Sequence, residues 1–281
     1  LLPGGRPVAD RAARVDVAAA WGADSLPAHS GLDVNGMLEA VEVGDLKALL
    51  VAGIEPDDFA VAERVRSACE AAGFVVSLET RLSEVSQRAD VVFPIALLEE
   101  HAGTFWNWEH RPGRVNTVIS TPNPSMTDLR VLAALADALG QPLGIRTPRQ
   151  ALAELTELGV WEGPRATPKA AAPAPTGEGP VVATWRQLLD GGAGMDGEEA
   201  LAATAKPAVA RLSPATAAAA GVTEATEVSI VTGKGTFSLP LEVTAEMVDG
   251  TVWVPTRWPG ACLADFGLVA GDRVQLGGGL R

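Results

Sequence analysis

Cysteine is scarce: Cys69 and Cys262 are the two in 281 residues, far apart and outside any CxxC arrangement. A disulfide framework is excluded, and a four-thiolate iron–sulfur or zinc site cannot be built within the chain. Cys69 falls on the apolar side of a helical pattern and reads as a small core residue. Positive charge is also short. Lys and Arg number 22 against 35 Asp and Glu, a formal net charge of −13, which excludes nucleic acid and anionic membrane surfaces as partners. No stretch approaches the roughly 18 to 20 consecutive apolar residues of a membrane span, so direct membrane insertion is not expected. The opening "LLPGGRPVAD" has no initiator Met and no basic segment leading into an apolar core. It reads as a loop entered mid-protein, a fragment rather than a signal peptide. No Walker A, GxGxxG or GxSxG pattern follows any apolar run, so phosphate-loop and nucleophile-elbow chemistry have no signature. Tyrosine is absent, without a physical account.

Among what is present, "GTFWNWEHRPGR", Gly103 to Arg114, is unusual for two tryptophans one residue apart. In an extended ribbon Phe105, Asn107 and Glu109 share one face, and Trp106, Trp108 and His110 the other. Either the ribbon is a half-buried strand with a wet polar face, or it is a rim element presenting Asn107 and Glu109. The histidines are His29, His101 and His110, and a site with Glu99, Glu100 and Glu109 can be drawn on the ribbon. The spacing matches no standard ligand set, and no metal site is expected.

Short apolar runs "KALLVAGI" (47–54), "FVVSL" (74–78) and "ADVVFP" (89–94) read as buried parallel strands. Asp57 is a candidate N-cap for a helix with Phe59, Ala62, Val65, Cys69 and Ala72 on one side, stopped by Gly73. A short polar helix is expected around Ser83 to Arg88. The alternation predicts an α/β domain with a parallel sheet, its ligand-facing edge at the carboxyl ends of the strands. The ribbon follows the third such end directly, which favours the rim reading. "SMTDLRVLAALADALG" (125–140) predicts an amphipathic helix with Leu129, Leu132, Ala133, Ala136 and Leu139 on one face, with Ser125 and Asp128 at its start. A further helix is expected from Arg149 to Leu158.

The Pro/Ala-rich stretch 163–180 lacks periodicity and reads as an extended, mobile linker. Past a short "ATWRQLLD" helix the pattern turns to β. Ser213-Pro214 opens a small helix that Gly221 ends. "EVSIVT", "GKG" and "TFSLPLEV" form a hairpin, and "GTVWVPTRW" and "GDRVQL" add strands. "GVTEATEVSI" (221–230) aligns without gaps on "GLVAGDRVQL" (267–276). Two readings stand: chance similarity of a common turn, or a barrel with internal pseudo-symmetry.

The succession "LLVAGIEP", "FVVSLETRLSEVSQRADVVFP", "EEHAGTFWNWEHR", "DLRVLAALADALG" and "VARLSPATAAAAGV…VWVPTRWPG" resembles one family, the G subunit of the proton-translocating NADH-quinone oxidoreductase, respiratory complex I. That family lies within the molybdopterin oxidoreductase superfamily. The resemblance covers nearly the whole chain. It implies the C-terminal part of a longer polypeptide: an incomplete α/β domain (1–160), a Pro/Ala-rich linker and bridging helix (161–206), and a small β-barrel of double-psi type (207–281). The amino-terminal part would carry 4Fe-4S and 2Fe-2S clusters, and this part no cofactor. In the superfamily the ribbon faces a pterin dinucleotide, and Gly103, Thr104, Phe105, Asn107, Glu109 and Arg111 match it. Gly53 and Glu55 match a strand end that reads Gly-x-Asn-Pro in relatives, and Glu79 a position that carries Asp.

Departures separate this chain from catalytic relatives. Glu55 puts a carboxylate where an amide stood, which repels a pyrophosphate. His110 stands at a usual Gly, and Arg257 and Trp258 at a usual Asn-Ser. The expectation is a set of vestigial positions, Gly53, Glu55, Glu79, Thr104, Asn107, Glu109 and Arg257, with no catalytic residue, no dinucleotide bound, and Arg257 paired with one of the three glutamates. The implied role is a scaffold beside other peripheral-arm subunits, at the cytoplasmic side of the cell membrane. The alternative is a catalytic molybdopterin enzyme of the formate dehydrogenase or nitrate reductase type.

Overall fold

A computed structural model describes residues 2–107, 109, 111–120, 122, 125–167 and 177–278. The chain divides into two units, Leu1–Ile54 with Ala68–Ala170, and Glu55–Ser67 with Ala171–Arg281.

In the first unit, α1 (Arg11–Trp21) starts where Asp10 Oδ1 accepts the Ala13 N–H at 2.9 Å. It ends at Gly22, whose φ of 63° is left-handed, the conformation glycine adopts without a Cβ penalty. α2 (Val34–Glu42) is capped the same way by Asp33. The strands β1 (Ala48–Ala52), β2 (Phe74–Glu79) and β3 (Val91–Pro94) form a parallel sheet in the order β1-β2-β3. α3 (Ala62–Ala71) connects the first two and crosses the division at Ser67. After β3 comes an antiparallel hairpin of β4 (Gly103–Trp106) and β5 (Pro112–Val115). α4 (Asp128–Ala138) then returns to the sheet, where Val131 packs with Leu78 and Ile95 in a small core flanked by Val76, Phe93, Met126 and Leu135. α5 (Pro148–Leu158), with Pro at its first turn, ends at Gly159. Arg6, buried, closes that end: its guanidinium donates to Leu158 O (2.7 Å), Gly159 O (2.9 Å) and Asp16 Oδ2 (2.7 Å). A cation is favoured there because the last helical carbonyls lack partners.

The second unit contains β6 (Val181–Trp185), α6 (Glu199–Ala202), β7 (Ala210–Leu212), α7 (Pro214–Ala219), β8 (Glu227–Val231), β9 (Thr236–Val243), β10 (Thr251–Pro255), β11 (Arg257–Trp258), β12 (Ala261–Cys262) and β13 (Gln275–Gly278). Six of these strands form one sheet in the order β13-β8-β9-β7-β10-β6. The sheet curls until its ends meet: Val181 bridges Arg273, and Val182 N donates to Asp272 O at 2.7 Å. Its concave side holds the larger core, including Val182, Leu212, Val222, Val228, Ile230, Phe237, Val252 and Val254. β10 is buried on both faces, since Trp253, between two core valines, is also buried. Trp185 lies 4.6 Å from the Trp253 ring and the Arg211 guanidinium 4.8 Å over it, so the outward face of β10 is closed by a ring and a cation.

The internal echo has a counterpart in three dimensions. Gly221 (φ 68°) ends α7 and Gly267 (φ 63°) ends the 3-10 turn Leu263–Phe266, and Val222 and Leu268 behind them are both buried. The two copies then enter β8 and β13, which pair antiparallel with Ile230 opposite Leu276. Those are the matching last residues of the two repeats. On either side Val231 faces Gln275 and Ser229 faces Gly277.

Several local expectations are corrected. "ATWRQLLD" begins in a strand, β6, because Val181–Trp185 pairs in parallel with β10. Asp57 caps no helix. Pro56–Asp58 is a 3-10 turn, α3 begins at Ala62, and the Asp57 carboxylate is taken by Arg66 and Arg257. α4 is capped by Thr127, not Ser125, and its buried residues are Val131 and Ala133, while Leu132 and Leu139 face solvent. The Ser83–Arg88 helix shrinks to a 3-10 turn at Ser86–Arg88, fastened by Ser83 and Ser86, each hydroxyl accepting the other's N–H. Trp108, His110 and 168–176 of the linker lie outside the described residues.

Candidate functional site

The first-unit positions collect at the carboxyl ends of β1 and β2 and on the hairpin. Gly53 takes a φ of 57° and donates its N–H to Leu78 O at 3.1 Å, so the chain turns off β1 hard against the end of β2. Glu79 is the last residue of β2 and is buried. Its Oε1 accepts from the hydroxyls of Ser77 (3.0 Å) and Ser83 (2.9 Å), which satisfies a carboxylate that burial would otherwise penalise. Thr104 sits in β4 opposite Arg114. Asn107 closes the turn of the hairpin: its Oδ1 accepts from Glu109 N (3.0 Å) and Arg111 N (2.8 Å), and its own N–H donates to Arg111 O. This is the local side-chain-to-backbone bonding at which Asn excels. Glu109 pairs with Arg111 at 2.6 Å. The ribbon is therefore strand-turn-strand, with Phe105 and Trp106 both about half exposed, and the Asn107 carbonyl is used by its own turn.

Arg257 and Glu55 belong to the second unit. Arg257 is nearly buried and paired with Asp58 (3.2 Å) and Asp57 (3.8 Å). The expected pairing with a glutamate is thus corrected to two aspartates of the Pro56–Asp58 turn. The same turn draws Arg66 to Asp57 and Arg186 to Asp58. Cys262 lies beside it, its thiol pushed up from the ordinary value by burial, against a smaller opposing effect of the Asp265 N–H. Ligand atoms of Asp57, Cys262 and Asp265 lie within 4.8 Å of one another. Asp57 is held by two arginines, and Asp265 Oδ2 accepts the Cys262 N–H at 2.8 Å. The cluster fastens β12 and its following turn, and both carboxylates already have partners.

An anionic dinucleotide asks for N–H donors and cations directed at its phosphates. In the first unit the family-equivalent side chains already have partners: Glu79 two serine hydroxyls, Glu109 the Arg111 guanidinium, and Asn107 its own turn. In the second unit Arg257 is paired with two aspartates. Elsewhere in the first unit, a cleft of about 450 Å3 lies at the N-terminal ends of α4 and α5, lined by Thr127, Thr147, His101, Arg130 and Arg146. Arg146 there pairs with Asp137 at 2.5 Å. Sequence reasoning missed this cleft, whose residues come from separate helices and a loop; the two Thr caps, each three residues before a helical polar residue, were its only signal.

A molybdopterin oxidoreductase family model matches residues 11–138, and a molybdopterin dinucleotide binding domain model matches 182–276. The G subunit of NADH-quinone oxidoreductase from Mycobacterium bovis is 46% identical over 99% of this chain. The chain is a homologue of that G subunit, built of molybdopterin oxidoreductase-family domains. The corresponding protein of Streptomyces coelicolor is likewise 46% identical over 99% of the chain. The chain spans 35% of the length of the first relative and 34% of the second. Among solved structures, acetylene hydratase from Pelobacter acetylenicus superposes with a TM-score of 0.54 at 15% identity, covering 87% of this chain and 46% of that one. At that identity the likeness is one of fold.

Proposed function

We propose that this chain is a non-catalytic scaffold part of the large peripheral-arm subunit of a proton-translocating NADH-quinone oxidoreductase. The observation that carries this reading is the 46% identity to the mycobacterial G subunit along 99% of the chain. In the same reading the chain comprises an α/β domain over 1–160, a linker and bridging segment over 161–206, and a barrel of double-psi type over 207–281. The meeting of the curled sheet's two ends at Val181 and Arg273 supports the barrel. The 4Fe-4S and 2Fe-2S clusters belong to the remainder of the polypeptide, since two buried, separated cysteines cannot ligate a cluster. The partners are other peripheral-arm subunits, and the location is the cytoplasmic side of the cell membrane. No described helix is long and apolar enough to cross a membrane.

Within this reading the family's dinucleotide site is vestigial. The resemblance implies a carboxylate, Glu55, Glu79 or Glu109, where relatives meet an anion, and at ~4 Å one unit repulsion is worth roughly 4 kcal/mol at an effective dielectric near 20 before screening. Arg257 is not at liberty to offset it, being held by Asp57 and Asp58. The second reading, a catalytic molybdopterin oxidoreductase, has in its favour the dinucleotide-domain match over 182–276. Elemental measurement on the complete purified protein separates the two. The scaffold reading expects iron without stoichiometric molybdenum or tungsten. Either metal at one equivalent, together with pterin fluorescence, overturns it in favour of the catalytic reading.

A further inference from the structure

The cleft at the N-terminal ends of α4 and α5 lies apart from the dinucleotide-equivalent positions, none of which lines it. Its volume of about 450 Å3 falls within the roughly 300–1,000 Å3 of ordinary small-ligand pockets. Its walls are of two kinds. Met126, Ala133, Ala134 and Pro148 supply apolar surface, and His101, Arg130, Arg146 and Thr127 supply polar groups. In a chain with 35 Asp and Glu, no carboxylate is among the described lining residues. Glu100, the chain neighbour of His101, is turned back onto the Leu97 N–H at 2.8 Å. Donors remain uncommitted on the lining. The Arg130 side chain is exposed and pairs with no carboxylate among the described residues. Arg146 binds Asp137 through Nη2 at 2.5 Å, which leaves the other donors of its fork. Thr127 Oγ1 accepts from Arg130 N at 3.4 Å, so its own proton is available to a ligand. The dipoles of α4 and α5 add positive potential at the same end, but the arginines and the apolar wall define the cleft without them.

We infer that this cleft binds a small organic anion. Arg130 and Arg146 hold its phosphate or carboxylate head, Thr127 donates to the same head, and a short apolar body covers Met126, Ala133 and Ala134. A bare anion would leave the apolar wall in water, and a neutral apolar molecule would leave Arg130 without a counter-charge. A ligand that carries both parts answers both walls, the head through charge-assisted hydrogen bonds and the body through area removed from water. Since no dinucleotide-equivalent position takes part, the inference goes beyond the scaffold reading and is independent of whether the whole protein is catalytic.

Arginine footprinting tests it on the full-length protein purified with its partner subunits. Phenylglyoxal modification of each arginine is timed by peptide-resolved mass spectrometry. The probes are phenyl phosphate, benzoate and inorganic phosphate, added at constant ionic strength. Arg11 and Arg114, exposed and outside the cleft, are the references. Phenyl phosphate or benzoate is expected to slow Arg130 and Arg146 at least about fivefold near saturation, as mass action requires, with the references unchanged. Which of the two protects identifies the head group. Arg130→Gln should raise the concentration that half-protects Arg146 about tenfold, the scale of one charge-assisted hydrogen bond. Unchanged rates with every probe overturn the inference. Equal protection by inorganic phosphate means an adventitious ion only and overturns it, as does equal slowing of Arg11 and Arg114, which means general screening. If Arg130 and Arg146 are unreactive before any probe is added, a protein segment covers the cleft, and that too overturns the inference.

Discussion

The second unit ends its sheet by bending β6 and β13 toward each other until Val181 and Arg273 bridge, and its core runs the length of six strands. The first unit ends at β1 with Leu50 half in water, and Val131, Leu78 and Ile95 form only a small buried group under α4. The contrast follows from strand direction. A mixed, curling sheet needs apolar cover on its concave side and can supply most of its own edges. A parallel sheet of three strands needs cover on both faces. The two regions therefore differ in how far each is stabilised by residues within it.

Truncating the two cores puts that difference at risk most directly. Ile230→Ala, at a fully buried site, is expected to cost about 2–5 kcal/mol, while Leu50→Ala is expected to cost less than about 1 kcal/mol. Urea unfolding followed by a probe in each unit reads both, and comparable losses would erase the contrast. Next in size, Arg257→Ala leaves Asp57 and Asp58 with Arg66 and Arg186 as their remaining partners. Since Asp58 is partly exposed, a loss of about 1–2 kcal/mol is expected, confined to the second unit. A loss spread equally over both transitions would show that the turn at 56–58 stabilises more than its own unit.

The smallest expected effect is one of pH. Burial raises the thiols of Cys69 and Cys262 above their ordinary value of 9.0. The unfolded chain then releases its thiol protons first as pH climbs. Their contribution is fully present below about 9 and is lost as pH rises from there through the folded-state value, at no more than ~1.4 kcal/mol per pH unit for each thiol. Cys262→Ala should flatten the decline of Tm between about pH 9 and 10.5 relative to wild type, and Cys69→Ala should do so in the first unit. Identical slopes in variant and wild type would remove burial as the cause.

Strands at Ala48–Ala52, Phe74–Glu79 and Val91–Pro94 were legible because continuous apolar runs bounded by Gly and Pro have few other uses. β6 was not. Its residues follow a Pro/Ala-rich stretch, and its strand state depends on β10, some seventy residues away. Thr127 and Ser125 are both sound caps two residues apart, and packing of Val131 rather than propensity chooses between them. At the candidate site, chemistry was legible and direction was not. Asn107 and Arg257 could be named from residue type and position. Whether an amide oxygen turns to a ligand or to its own hairpin is set by backbone geometry that spacing does not encode. Asp57 and Asp58 become Arg257's partners only through folding across 199 residues.

The register of β8 against β13 has a symmetry of its own. Ile230 faces Leu276, its own equivalent, and each flanking residue faces the equivalent of its partner's position: Val231 with Gln275, Ser229 with Gly277. That reciprocity is the signature of an isologous contact, in which one surface meets a copy of itself about a two-fold axis. Each turn-and-strand half, alone, would carry an unpaired edge complementary to its own twin. The two turn-and-strand segments thus meet about a local pseudo-two-fold axis that passes between Ile230 and Leu276.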